Sequence, residues 1–459
     1  MARGLIAAIT GQGGRIVPGI ARAASVDGDS QPPTGVDVVV IGGGFIGCAT
    51  ALTLAERGVS VALCEKGVIA GEASGRSAGW VDSQFLDPAK MELIGRSKEL
   101  WEVMNARLGY ETGYRRSGVV SLLADQDAMD FASAWLSSVQ GRRGVDARIV
   151  TMREIAGLVP GAVREFAGGL YQPSDASVEP VLAAPAIARG ARAKGATILQ
   201  NCAVRGVETS GGRISGAVTE KGTIKCQSIV LAGGYWSPLF AGSLGIELTQ
   251  FQANASMLSI RPADDAAPGI SAWGPGYIWR RQIDGSYTIG AINGAVPITP
   301  RMVRHAVKLL PALKAMWSEI DPVLCLPTFW NALRTPKRWR LDEISPFERN
   351  RILMPEIRDS FLDCAKAAIE DDFPVFAGAA DIERWAGVLV TTLDNMPVIS
   401  AVPGWPGLYL GAGFYYGLTM GPAAGEALAD LVMGDRPQIA LEDYRYTRFT
   451  DGSKLVFRK

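Results

Sequence analysis

One histidine in 459 residues, His305, is the sharpest shortage in this chain. Ser-His-Asp hydrolysis needs an imidazole oriented by a carboxylate, and zinc chemistry leans on imidazole and thiolate, so both are nearly excluded. His305 falls in the basic helical stretch Arg301–Leu310, where a solvated surface position is expected. The cysteines Cys48, Cys64, Cys202, Cys226, Cys325 and Cys364 show no C-x-x-C spacing. Two of them fall in candidate core beside a glycine loop, so buried thiols in a reducing compartment are expected rather than disulfides or metal. An excess of charge is missing too. Lys+Arg and Asp+Glu stand at 46 each, which leaves no global field for nucleic acid. No run reaches the roughly 18 apolar residues of a membrane span. Residues 1–35 lack the long apolar stretch of a secretory signal, which points to a cytoplasmic protein. This segment is Gly/Ala-rich and carries Arg3, Arg15 and Arg22 with no acid before Asp27. It is expected to be disordered. The sharper alternative is a peripheral contact with a partner subunit or with an anionic membrane surface at its inner face.

What is present begins with Val36–Lys66. Val36-Asp37-Val38-Val39-Val40-Ile41 is a short β-branched run suited to a strand buried on both faces. Gly42-Gly43-Gly44-Phe45-Ile46-Gly47 follows and fits G-x-G-x-x-G. Cys48–Arg57 reads as a helix stopped by Gly58, and Val59–Leu63 as a second strand. Glu65 sits 18 positions beyond Gly47. The first glycine makes the tight turn, the second admits a pyrophosphate to the backbone, and the third lets helix and strand close up. The helix N-terminus offers N–H groups to phosphate, and the acid can accept from a ribose. Strand, loop, helix, strand and acid together point to a dinucleotide.

Apolar content of 48% and 20% charge describe a globular chain long enough for two or three domains. After Glu65 and Lys66, the loop Gly67–Trp80 holds Gly71-Glu72-Ala73-Ser74-Gly75-Arg76-Ser77-Ala78-Gly79-Trp80, whose small residues suit a flat ligand. Arg76 could face a pyrophosphate. Helices are expected over 88–108, 125–140, 152–158 and 181–194, with a strand over 117–123. Short strands at 196–199 and 203–208, a β-meander over 212–227 and the buried strand Ser228–Leu231 return to the first domain. Ala232, Gly233 and Gly234 end that strand and Trp236 opens the next helix. The nucleotide domain is therefore interrupted near residue 85 and resumes near 181. Residues 248–261 and 277–292 alternate as a sheet of a second domain. In Tyr277-Ile278-Trp279-Arg280-Arg281, the period of two puts Tyr277, Trp279 and Arg281 on one face, a candidate pocket lining for an anionic or flat substrate. Otherwise Arg281 is a solvated edge residue. The charged stretch 334–351 is expected at the surface, where it could serve as an interface. Late in the chain, Leu408–Leu410, Gly411-Ala412-Gly413 and Thr419–Met433 repeat strand, glycine turn and helix. Two such units far apart can clasp one long ligand from both ends.

With these residues in hand, the chain resembles the D-amino-acid oxidase (DAO) family of FAD enzymes, which includes sarcosine and glycine oxidases. The likeness spans about 36–435 and rests on Gly42–Gly47, Glu65, Ala232-Gly233-Gly234, Trp385-Ala386-Gly387, Asp394 and Gly411–Gly417. It implies an α/β protein: a Rossmann-like FAD-binding domain with a central parallel sheet and small meander, interleaved with an α+β substrate domain on a mixed sheet. The FAD domain is assigned to 36–85, 181–245 and 381–435, and the substrate domain to 86–180 and 246–380, with 436–459 as a tail. The AMP half of noncovalent FAD would lie on Gly42–Glu65, with adenine near Val204. The isoalloxazine would lie between Arg76–Trp80 and Gly413, Phe414, Gly417, Leu418 and Thr419. The resemblance also implies hydride transfer from an amine carbon to the flavin, followed by imine hydrolysis.

Three departures qualify this. Val388-Leu389-Val390 stands where members that clamp an α-carboxylate often carry Arg, which disfavours a simple D-amino acid unless Arg281 substitutes. Thr419 stands where sarcosine-type oxidases place a Lys over the flavin. A buried cation helps O2 accept electrons, so its loss favours a dehydrogenase with a quinone or protein acceptor over an oxidase. No Cys stands near Gly387 for covalent attachment. Tyr415 and Tyr416 are the leading candidates for hydrogen bonding the substrate, with Trp80 and Gln84 closing the other side. The expectation is an FAD-dependent amine or amino-acid dehydrogenase or oxidase. The alternatives are an oxidase of a polyamine conjugate or opine-like secondary amine, and an electron-transfer subunit or assembly protein that keeps FAD without turnover.

Overall fold

Val38–Ile41 is only four residues long, yet its alternation decides the architecture. Val38 and Val40 point into one apolar cluster and Val39 into another, so this strand is covered on both faces. A strand with no solvent face belongs at the centre of a parallel sheet. The computed structural model, which describes residues 23–263, 267–315, 317 and 320–458, places it there. The sheet runs Val398–Ala401, Leu408–Ala412, Ser228–Leu231, Val38–Ile41, Val61–Cys64, Thr197–Leu199. All neighbours are parallel except the edge pair 398–401 with 408–412. Helices Phe45–Glu56, Pro180–Ala193 and Gly417–Met433 cover one face. The antiparallel meander Val204–Ser210, Arg213–Thr219 and Gly222–Lys225 covers the other.

The helix Phe45–Glu56 is buried from Phe45 to Ala55, with the sheet beneath it and a helix on either side. Small residues allow this crowding. A Cβ on Gly425 would lie 2.5 Å from Ala49 Cβ, so the late helix can approach the early one only as glycine.

The second domain is a ten-stranded mixed sheet. Its longest pairing joins Gln250–Arg261 to Ala380–Thr392 in antiparallel register. The structure therefore differs from the expected boundary at 381: the chain re-enters the parallel sheet only at Val398, because 380–392 alternates as a partner for 250–261. Helix Asp359–Asp372 packs on this sheet, with Phe373 and Phe376 over its aromatic face.

Three terminal or surface expectations change. Arg3, Arg15 and Arg22 lie outside the described residues. Residues 23–35, expected to be disordered, are bonded to the first domain: Asp29 accepts from Ile198 N at 2.8 Å, Ala24 N donates to Val181 O, and Val26 is buried. The stretch 334–351 is only partly at the surface. Trp339 Nε1 donates to Arg205 O, Phe347 is buried, and Arg351 pairs with Glu220 at 2.6 Å, so its end straps over the meander. His305 is half-buried after helix Pro300–Arg304 rather than solvated, and burial lowers its pKa.

Candidate functional site

Gly42 turns the chain out of the first strand at φ +112°, where a Cβ would lie 2.4 Å from Ala232 O. A Cβ on Gly47 would sit 1.9 Å from Gly42 O, so helix and turn can close only with glycine at both ends. The helix starts after Gly44 with no side-chain cap, and Phe45 N donates to Ser74 Oγ at 3.0 Å. Ser74 thereby ties the Gly67–Trp80 loop to the phosphate end of the helix. Glu65 accepts from Gly43 N and Gly67 N, each at 2.7 Å. Burial raises its pKa, opposed by Lys66 and by these two N–H groups. Each carboxylate oxygen keeps a lone pair for a ribose hydroxyl.

This cradle opens into a cavity of about 630 Å³ that runs from the glycine turn to the wall between the two sheets. Of the residues expected to hold the cofactor, all line it except Gly47, Gly79, Trp385 and Asp394. Each of those four supports the lining from behind. Gly47 closes the turn. Gly79, at φ +93°, leaves room for Arg280, whose Nε would lie 2.6 Å from a Cβ there. Trp385 Nε1 donates to Arg76 O at 3.0 Å. Asp394 accepts from Arg448 through both oxygens (2.7 and 3.1 Å) and from Thr392 Oγ1, so it anchors the 436–459 tail instead of meeting a ligand. Arg76 lies between these supports and the cavity. Its Nη1 donates to Leu353 O at 2.8 Å, while its buried Nε has no partner among the described residues. A buried guanidinium N–H without an acceptor, beside a glycine cradle, fits an anionic or carbonyl-bearing ligand. These residues fit FAD.

The 277–281 strand is turned the other way from expectation. Tyr277 and Trp279 are fully buried in the core, with Trp279 edge-on to Phe373 at 4.8 Å. The opposite face meets the cavity side: Ile278 lines it, and buried Arg280 pairs with Glu179 at 2.8 Å and donates to Ala78 O at 2.7 Å. Arg281 does not line the cavity. It borders a separate surface depression with Arg261 and Asp284. Tyr415 and Tyr416 do line the cavity, rings 5.0 Å apart.

Two features escaped the sequence. Trp80, Asp82 and Gln84 all line the cavity, from the two-residue strand Trp80–Val81 and the residues just after it; Trp80 and Gln84 were expected there and Asp82 was not. Asp82 is 3% exposed. Its pKa is pushed up to about 7, first by burial and then by the neighbouring Asp175 carboxylate, against the opposing charge of Lys98. Lys98 bonds Asp175 at 2.6 Å and Ser83 Oγ at 2.9 Å, and Thr419 Oγ1 accepts from Asp82 N at 3.3 Å. The second feature is Trp273, whose ring lies 4.7 Å from Trp80. Both buried indole N–H groups lack acceptors among the described residues.

Comparison with known proteins places the chain in a family. The family described as "FAD dependent oxidoreductase" (DAO) matches residues 37–431. The structure of L-amino acid deaminase from Proteus myxofaciens in complex with anthranilate is 36% identical, covers 94% of this chain and 97% of its own, and superposes with TM-score 0.90. The corresponding deaminase from Proteus vulgaris is 31% identical, covers 93% of this chain and 100% of its own, and has TM-score 0.89. Sarcosine oxidase subunit beta of Rhizobium meliloti is 27% identical, over 92% of this chain and 90% of the relative.

Proposed function

Because the chain belongs to the DAO family of FAD-dependent oxidoreductases, we propose that it oxidises the C–N bond of an amine or amino acid carrying an apolar substituent. The observation that carries this is one continuous cavity, with a glycine-turn cradle at one end and an apolar wall at the other. FAD supplies the two-electron acceptor; the imine then hydrolyses in water. What the protein adds is position: Trp80 and Thr419, bonded to each other, border the cavity together with Tyr415 and Tyr416, and these residues would hold an amine carbon against bound FAD and keep water out.

The remote wall contains Leu122, Phe131, Met257, Trp273 and Ile278. That lining favours a hydrocarbon side chain over a polyamine conjugate. With Arg280 committed to Glu179 and Arg281 outside, the unpaired indole N–H groups of Trp80 and Trp273 are the donors this wall offers to a carboxylate. The 36%-identical deaminase supports an L-amino acid. We favour a dehydrogenase, since Thr419 presents a hydroxyl, donated to Trp80 O, where a cation would assist O2. The acceptor would be a quinone or protein. Helical segments 300–315 and 326–334 support a peripheral membrane site for it: Val307 is 82% exposed on the first and Trp330 49% on the second, among Arg301, Arg304, Lys308 and Arg334. Among the described residues no helix is long and apolar enough to cross a membrane.

Anaerobic addition of amines and amino acids to the yellow holoprotein tests this. An apolar L-amino acid or amine should bleach the flavin, and air should restore the colour slowly and with little peroxide. Fast reoxidation with stoichiometric peroxide would make it an oxidase. Absence of bleaching across the panel would favour an FAD carrier without turnover.

A further inference from the structure

Five charged side chains line the cavity among the described residues: Glu65, Lys66, Glu72, Arg76 and Asp82. The first four are tied together at the glycine-turn end. Glu65 caps Gly43 and Gly67, Lys66 pairs with Glu72 at 2.8 Å, and Glu72 and Arg76 both bond backbone of Leu353. Asp82 stands apart from them, on the extended segment that also presents Trp80 and Gln84. Behind it the protein has buried a second carboxylate, Asp175, with a single ammonium, Lys98, bonded to Asp175 and not to Asp82. These are the charged groups facing Asp82. Helix 417–433 brings only the neutral Thr419 hydroxyl, which accepts from Asp82 N at 3.3 Å and is a long donor to Asp82 Oδ1 at 3.5 Å. With all three ionised, the cluster carries a net charge of −1 in a low-dielectric wall, open on one side to the cavity. A buried charge without a counter-ion is costly unless a partner arrives. Of the neutral polar neighbours, Gln84 is bonded to Ser121 Oγ and Val119 O, and the remote wall beyond is apolar with indole N–H donors, so a cationic head on a hydrocarbon body is the complementary ligand.

We propose that Asp82 is the residue that binds the cationic amino group of the substrate, holding it on the wall shared by Trp80 and Thr419. The proposal rests on the amine reading of the site and names the group that selects for a charged amine. It is a binding contact, with no proton or electron moved.

tert-Amylamine and its neutral isostere tert-amyl alcohol test it, because neither has a hydrogen on the substituted carbon and neither can be oxidised there. Binding to the holoprotein is read from perturbation of the flavin absorbance. In the wild type the amine should outbind the alcohol, and its affinity should fall as pH drops through about 7, where Asp82 takes up a proton. Asp82→Asn should weaken the amine about 30-fold or more at pH 8 and flatten its pH profile, leaving the alcohol within about twofold. Asp175→Asn removes the like charge behind Asp82 and should move the midpoint of the amine profile to lower pH; it serves equally if Asp82→Asn fails to fold. Equal weakening of both ligands, an unchanged amine affinity in Asp82→Asn, or an unmoved midpoint in Asp175→Asn would overturn the proposal. If no amine ever bleaches the flavin while the amine–alcohol difference still depends on Asp82, the contact stands and the amine-oxidation reading falls.

Discussion

Arg280 and Arg281 are adjacent, identical in chemistry and opposite in setting, which makes them a controlled pair. Arg280 is 3% exposed and gives Glu179 two hydrogen bonds, at 2.8 and 3.1 Å, while its Nε holds Ala78 O. Glu179 is buried as well and also accepts from Ile283 N. Arg280→Ala leaves that carboxylate buried without its counter-charge, a change that costs about 3–5 kcal/mol. Against a typical total stability of about 5–15 kcal/mol, that is a large fraction. It should also loosen the Ala78–Trp80 stretch against the ring. Arg281 is half-buried at a strand end beside a surface depression, so Arg281→Ala should cost less than about 1 kcal/mol. Urea titrations followed by flavin release and by far-UV circular dichroism report both. Arg280→Ala should lower the midpoint strongly and release flavin early, and Arg281→Ala should track the wild type. The double substitution Arg280→Met with Glu179→Met should recover much of the loss, because no buried charge remains. Equal losses at 280 and 281, or a loss below about 1 kcal/mol at 280, would refute the assignment of faces on this strand.

Gly47→Ala places a methyl 1.9 Å from Gly42 O; the purified variant should be colourless and stay so after incubation with FAD. Asp394→Ala strands the buried Arg448 guanidinium and should cost about 3–5 kcal/mol, with limited proteolysis removing the 436–459 tail first. Asp82 has a folded pKa of about 7 against an ordinary 3.8. The folded state therefore binds the extra proton between those values, and stability falls as pH rises through that window. Asp82→Asn should remove up to about 4 kcal/mol of this pH dependence, seen as a smaller difference in urea midpoint between pH 4 and pH 8. A variant whose midpoint varies with pH as the wild type does would show that Asp82 does not titrate in this range.

The cofactor end was readable in the sequence because its demands are local. A turn needing φ +112°, and a helix start so close to that turn that a Cβ would fall 1.9 Å from a carbonyl, each admit glycine alone, and they fall within six residues. The late strand–glycine–helix unit was readable for the same reason. The substrate wall was not. Period two correctly separated Tyr277 and Trp279 from Ile278 and Arg280, but which side is core depends on Phe373 and Phe376, some ninety residues later. Asp394 shows the same limit: its partner Arg448 lies 54 residues away in the tail. Residues 23–35 have little apolar content, yet Asp29 and Val26 find the edge strand 197–199 and its neighbouring loop. Asp82 was hidden by being a single acid just after a two-residue strand, meaningful only once Asp175 and Lys98 stand behind it.

The order of strands in the parallel sheet also governs how the protein can be made. The strand at 38–41 emerges first from the ribosome but is flanked by 228–231, which waits in turn for 408–412, while the helix at 45–56 waits for the one at 417–433 to cover it. Until then the nascent chain carries a helix, buried from Phe45 to Ala55 in the finished fold, with one side bare. The two glycine turns that border the cavity, at 42–44 and 411–413, come together only after the whole segment between them has been made. Prematurely terminated products should be sticky substrates for chaperones and proteases, so yield in cells should depend on free FAD at the moment of completion.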